Sequence, residues 1–126
     1  GLAGRAVEVL ATSVLLPQVG QGAIAVECRS DDGSTASHLA AIDDPAVRAP
    51  VETERAFLAR LGGGCDLPVA AYARAEGEGD LVAEGLLASG DGRVLLRSSV
   101  RGASGEAASL GAGLAEHLLA AGGDNL

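Results

Sequence analysis

Val51-Glu52-Thr53-Glu54-Arg55-Ala56-Phe57-Leu58-Ala59-Arg60-Leu61 runs directly into Gly62-Gly63-Gly64-Cys65. Val47, Val51, Leu58 and Leu61 fall on one face, with Ala and Glu54 between them, so the stretch reads as an amphipathic helix. Pro50 interrupts the pattern and is expected in the first turn of a helix that starts close to it. Gly62 supplies the left-handed residue on which a helix ends. The glycines that follow carry no side chains, which leaves Cys65 on a bare loop that a large reaction partner can reach.

Downstream of that loop the period changes from helical to alternating. Three strands are expected, over about 68–75, 81–88 and 94–100. In the third, Val94, Leu96 and Val100 face one way and Arg93, Arg97 and Arg101 the other, which indicates a sheet with one dry and one wet side. Gly77-Glu78-Gly79-Asp80 and Ser89-Gly90-Asp91-Gly92 are hairpin turns. A last helix is expected over about 106–121, capped by Ser104, stopped by Gly122-Gly123, and burying Leu110, Leu114, Leu118 and Ala121. Helix–strand–strand–strand–helix gives an α+β two-layer domain, with a three-stranded antiparallel sheet covered by two helices.

Upstream, Asp43-Asp44-Pro45 is polar and turn-forming and divides the chain into 1–43 and 44–126. Residues 1–12 have weak helical periodicity. Val14-Leu15-Leu16 before Pro17 reads as extended, and Gly20-Gln21-Gly22 as a tight turn. Ala23-Ile24-Ala25-Val26-Glu27-Cys28-Arg29 is nearly continuous in apolar residues and reads as a strand covered on both faces, with Cys28 an inert core thiol. A helix over about 35–42, capped at the end of Asp31-Asp32-Gly33-Ser34, buries Leu39 and Ile42.

Composition narrows the function classes. A net charge of −8 and the lack of a basic, aromatic-interleaved stripe argue against a nucleic-acid partner. No apolar run reaches the ~18–20 residues that span a bilayer. Two cysteines without a disulfide framework suit a reducing, cytoplasmic setting. A burial of Cys28 would keep it from pairing with Cys65. His38 and His117 stand on separate helices without ligand spacing, so a zinc site is not expected. The chain opens Gly1-Leu2-Ala3-Gly4 and holds no Met, and is expected to be a fragment.

Glu54-Arg55-Ala56-Phe57-Leu58, continued by Gly63-Gly64-Cys65-Asp66-Leu67-Pro68-Val69, resembles the cofactor-attachment segment of porphobilinogen deaminase, or hydroxymethylbilane synthase. Gly20-Gln21-Gly22-Ala23 with Glu27-Cys28-Arg29 looks like a second signature of that family, in the right order. The resemblance implies the carboxy-terminal part of an enzyme that joins four porphobilinogen molecules into hydroxymethylbilane with release of ammonia. It implies that Cys65 carries a dipyrromethane cofactor through a thioether. Arg55 would hold the acetate and propionate groups of the pyrrole chain, since a guanidinium fork binds carboxylates at two points. Gln21 and the Gly22 backbone would lie near the cofactor, and Arg29 would face the same cleft. Segment 1–43 would be a strand–helix return belonging to an upstream α/β domain. The family's catalytic aspartate lies upstream of the matching region, so no catalytic residue is expected in this chain. The strand near 24–28, without its sheet, would expose an unpaired edge, and is expected either to be disordered or to pair with another copy of the chain.

The residues by themselves leave other readings open. Cys65 could be a small residue filling a corner after a helix stop. Arg55 could be a solvated charge paired with Glu52 or Glu54, Gln21 a turn residue, and Arg29 a strand-end charge. A non-catalytic ligand-binding or structural α+β domain would satisfy them all. A reactive Cys65 needs its thiolate form, and Arg55 and Arg60 lie on the helix that delivers it.

Overall fold

The computed structural model describes residues 1, 3–63 and 68–126. Helix α1 spans Gly33–Ala40 and α2 Pro45–Arg60; strands β1 (Val69–Glu76), β2 (Asp80–Ala88) and β3 (Leu95–Ala103) follow, and α3 spans Ala107–Ala120. The strands form one antiparallel sheet in the order β1-β2-β3, with Ala73 opposite Ala83 and Glu84 opposite Ser99. Helices α2 and α3 pack on the same face of it. The α+β two-layer architecture is therefore the one the alternating and helical periods indicate.

The core rests on one aromatic ring. Phe57 is fully buried, among Ala71, Ala83, Leu87, Leu114 and Leu118. Its ring lies on Gly85 of β2, where a Cβ would come 2.7 Å from the ring edge. Glycine at that point lets a large side chain reach the sheet in a chain with a single Phe and no Trp. Gly111 does the same for the helix pair. A Cβ there would meet the backbone of α2, 2.9 Å from the Thr53 carbonyl carbon and 3.0 Å from the Phe57 nitrogen.

Several local expectations are corrected. Pro50 lies inside α2, not in its first turn, because Asp44 caps the helix by accepting the Ala46 N–H (2.9 Å) and Pro45 takes the opening position. The buried face of α2 is Thr53, Glu54 and Phe57, whereas Val47 is half exposed. That face is rotated from the apolar stripe because α3 presents Gly111 to the helix beside Thr53. Helix α1 starts earlier than expected, with Asp32 as its cap rather than Ser34. The Asp32 carboxylate accepts the Thr35 N–H (3.0 Å) and hydroxyl (2.7 Å), and these bonds, the backbone one first, hold its pKa below the ordinary aspartate value. Helix α3 has no side-chain cap; Ser104–Glu106 instead forms a 3-10 turn that feeds it. Val94 belongs to the turn, where its N–H donates to the Ser89 hydroxyl (2.9 Å).

The amino-terminal third departs most. Ala23–Arg29 forms no ladder, and Ile24, Val26 and Cys28 are exposed. The reason is that a strand exists only by pairing its backbone groups, and among the described residues no strand accepts this segment. Cys28 is accordingly a surface thiol, not a core one. Residues 1–12 hold only a short 3-10 turn at Ala3–Arg5 instead of a helix. A turn over 12–14, with the Val14 and Leu15 N–H groups donating to the Ala11 carbonyl, bends the start of the Val14–Leu16 stretch that reads as extended.

Candidate functional site

The end of α2 is built by glycine. The Gly62 N–H donates to the Ala59 carbonyl and the Gly63 N–H to the Leu58 carbonyl, both at 3.1 Å, while φ is +93° and +66° at the two glycines. Such angles cost a side-chain-bearing residue about 1 kcal/mol or more and cost glycine little. Both residues are exposed, and among the described residues a Cβ on either would meet nothing within 4 Å. Gly64, Cys65, Asp66 and Leu67 lie outside the described residues, and with them the sequence-predicted thiol. The chain on the far side is fixed to the sheet through the Pro68 carbonyl, which accepts the Ala88 N–H (2.9 Å).

Arg55 is exposed on α2, and among the described residues it makes no ion pair. Of the two partners expected for it, Glu54 is turned inward and Glu52 makes no ion pair among the described residues. Gln21 and Gly22 lie elsewhere. With Val51 of α2 and Tyr72 and Arg74 of β1 they line a cavity of ≈ 390 Å³ beside the front half of α2. From Val51 to Gly62 the helix rises roughly 16 Å. Gln21 uses its amide oxygen to accept the Gln18 N–H (3.2 Å). Arg29 does not line that cavity; its side chain is exposed and pairs with Asp31 at 3.3 Å. The structure thus joins Gln21 with Gly22, and leaves Arg29 and Arg55 as separate exposed cations.

Glu54 is the residue that sequence reasoning passed over. It is 7% exposed. Its carboxylate accepts the Gly20 N–H (2.7 Å) and the Ala73 N–H (2.8 Å). One buried acid therefore ties the glycine turn at 20–22 to α2 and to the outer edge of β1. The signal was an acid inside an apolar stripe, between Val51 and Leu58; its partners, 34 and 19 residues away, were not readable. Among the described residues no group of three His, Cys, Asp or Glu side chains is gathered as a metal site, and no helix is long and apolar enough to cross a membrane.

The family model described as "Porphobilinogen deaminase, C-terminal domain" matches residues 49–120, which hold the rear of α2, the whole sheet and α3. The chain is 48% identical over 126 residues to the protein named "Porphobilinogen deaminase" of Roseiflexus castenholzii, covering 100% of this chain and 41% of that one. It is 47% identical over 112 residues to the protein of that name from Pelotomaculum thermopropionicum, covering 89% and 36%. With its namesake from Syntrophus aciditrophicus the identity is 42% over 123 residues, covering 98% and 40%. The chain spans about two fifths of the length of these relatives.

Proposed function

The chain belongs to the family of porphobilinogen deaminase C-terminal domains, and from that premise we propose that it serves as the carboxy-terminal part of an enzyme that links four porphobilinogen molecules into hydroxymethylbilane with release of ammonia. The observation that carries this reading is the match across α2, the sheet and α3, the units on either side of residues 64–67. In this proposal residues 44–126 are the cofactor-attachment domain, and 1–43 return the chain from upstream domains. Where those domains are missing, the unpaired Ala23–Arg29 segment associates with a second copy. The setting is the cytoplasm.

Dipyrromethane, joined to Cys65 through a thioether, is the cofactor of this reading, and when bound it supplies the primer to which pyrrole units are added. The described residues before Cys65 suit such an attachment: Gly62 and Gly63 are exposed, and among the described residues nothing lies within 4 Å of a Cβ built on either. Arg55 on α2 would hold a carboxylate of the bound chain, a charge-assisted bond worth ~1.5–3 kcal/mol before solvent screening reduces it. The Gly22 backbone and Gln21 would border the cleft through the cavity they line, and Arg29 would reach it from the return segment. Glu54 holds the Gly20–Gly22 turn in place.

An acid that steadies pyrrole cations and several cations for polycarboxylate chains belong to the upstream part of this enzyme, so the 126 residues alone are inactive. Incubation with porphobilinogen tests it. No uroporphyrin colour is expected from the chain alone, and colour is expected once it is mixed with the missing amino-terminal part. Turnover by the chain alone, or a stable mixed assembly without turnover, would overturn the reading.

A further inference from the structure

Among the described residues no helix beyond α2 and α3 packs on the sheet, and a segment crosses its second face. Arg97 stands on that face of β3, diagonal to Glu84 of β2. Its guanidinium donates to the Glu84 carboxylate from Nη2 (2.6 Å) and Nε (3.2 Å). The same group donates to the Ser13 carbonyl from Nη1 (2.7 Å) and to the Thr12 carbonyl from Nη2 (3.0 Å). Seven residues on, the Gly20 N–H is held by Glu54, beyond the β1 edge. Between the two fixed points Leu16 is 7% exposed and Val19 packs against the core. Thr12–Gly20 is therefore a strap, pinned at one end by a cation and at the other by an anion. It crosses roughly two strand spacings of about 4.8 Å each.

We propose that Arg97 is a positioning residue, a clasp that seats the Thr12–Gly20 strap on the sheet and so sets the Gly20–Gly22 turn against α2 and β1. The chemistry requires arginine. Thr12 and Ser13 present backbone carbonyls in an irregular segment, which no strand satisfies. Only a planar fork with five N–H groups can serve two carbonyls and a carboxylate at once. Lysine keeps the charge and the pairing with Glu84 but offers a compact point donor that cannot span the three. The side chains of Arg97 and Glu84 are 27% and 29% exposed, so the clasp sits at the sheet surface where release needs no core unfolding. The proposal does not depend on which ligand the chain carries.

Hydrogen exchange on the 126-residue chain and two variants tests it. The reporters are the Val14 and Leu15 amides, which donate to Ala11 next to the clasp, and the Leu114 and Leu118 amides in the buried helix. Arg97→Lys is expected to speed exchange at Val14 and Leu15 on the order of tenfold, to speed Gly20 less, and to leave Leu114 and Leu118 at parental rates. Arg101→Lys, on the same strand and face but paired with Glu76 and Asp80, is expected to leave the strap amides unchanged. Parental rates at Val14 and Leu15 in Arg97→Lys would overturn the proposal. So would an equal acceleration of Leu114 and Leu118, or the same strap effect from Arg101→Lys.

Discussion

Substituting Gly111 by alanine separates packing from helix propensity in one position. A Cβ at Gly111 falls well inside 3 Å of the Thr53 carbonyl oxygen and 3.0 Å from the Phe57 nitrogen. Ordinary contact needs the two helices to part by roughly 1 Å. The obstacle is helix backbone, held in place by Thr53 at 1% and Phe57 at 0% exposure, so it cannot swing aside as a side-chain tip would. Overpacking of this kind costs about 1–3 kcal/mol, and here the upper end applies. Alanine returns up to about 1 kcal/mol of helix propensity. The expected net loss is about 2 kcal/mol. Gly113 lies two residues along α3, is exposed, and has nothing within 4 Å of its would-be Cβ. Gly113→Ala should therefore stabilise by about 0.5–1 kcal/mol. Urea unfolding reads both, and with a slope of ~2 kcal/mol per molar the two midpoints should lie more than 1 M apart on opposite sides of the parent. If Gly111→Ala unfolds within about 0.5 kcal/mol of the parent, or Gly113→Ala falls as far as it does, the close α2–α3 crossing is not what packs this core.

Glu54→Ala removes the acceptor of two backbone N–H groups in a buried setting and should cost about 2–4 kcal/mol, with faster exchange at Gly20 and Ala73. Parental stability in urea would mean that water replaces the carboxylate without loss. The carboxyl of Asp32 should titrate below the ordinary aspartate value of about 3.9, because the Thr35 backbone N–H and hydroxyl favour its charged form. Since the folded value is the lower one, the cap is fully present above the ordinary range and is lost as pH falls through the folded value; an NMR titration of Asp32 at or above the reference would refute this. Asp91 should behave alike through the Ser89 hydroxyl first and the Arg93 N–H second, and Ser89→Ala should raise its midpoint.

What the sequence revealed was what short-range periodicity encodes. Strand alternation placed β1, β2 and β3 to within about three residues, since each strand turns one side chain in two towards the helices. The glycine stop after Leu61 was legible because left-handed backbone has few occupants. The buried face of α2 was not, because Phe57 owes its place to Gly85 and Thr53 its own to Gly111, both far along the chain. Pro50 was misplaced because the stronger start signal, Asp44 before Pro45, lies outside the stripe that suggested a shorter helix. Ala23–Arg29 has strand composition, but composition does not supply the backbone partner a strand needs. The clasp at Arg97 joins residues 84 and 85 positions apart, and the alternation on β3 told only that this arginine faces away from the helices.

Intact mass of the chain, produced together with the missing amino-terminal part and porphobilinogen, addresses the anchoring of dipyrromethane at Cys65 without intermediaries. The parent should be heavier than its sequence by the mass of two linked pyrrole units, and Cys65→Ser should match its sequence mass while Cys28→Ser stays heavy. A parent without added mass, or a Cys65→Ser variant that keeps it, would contradict the account.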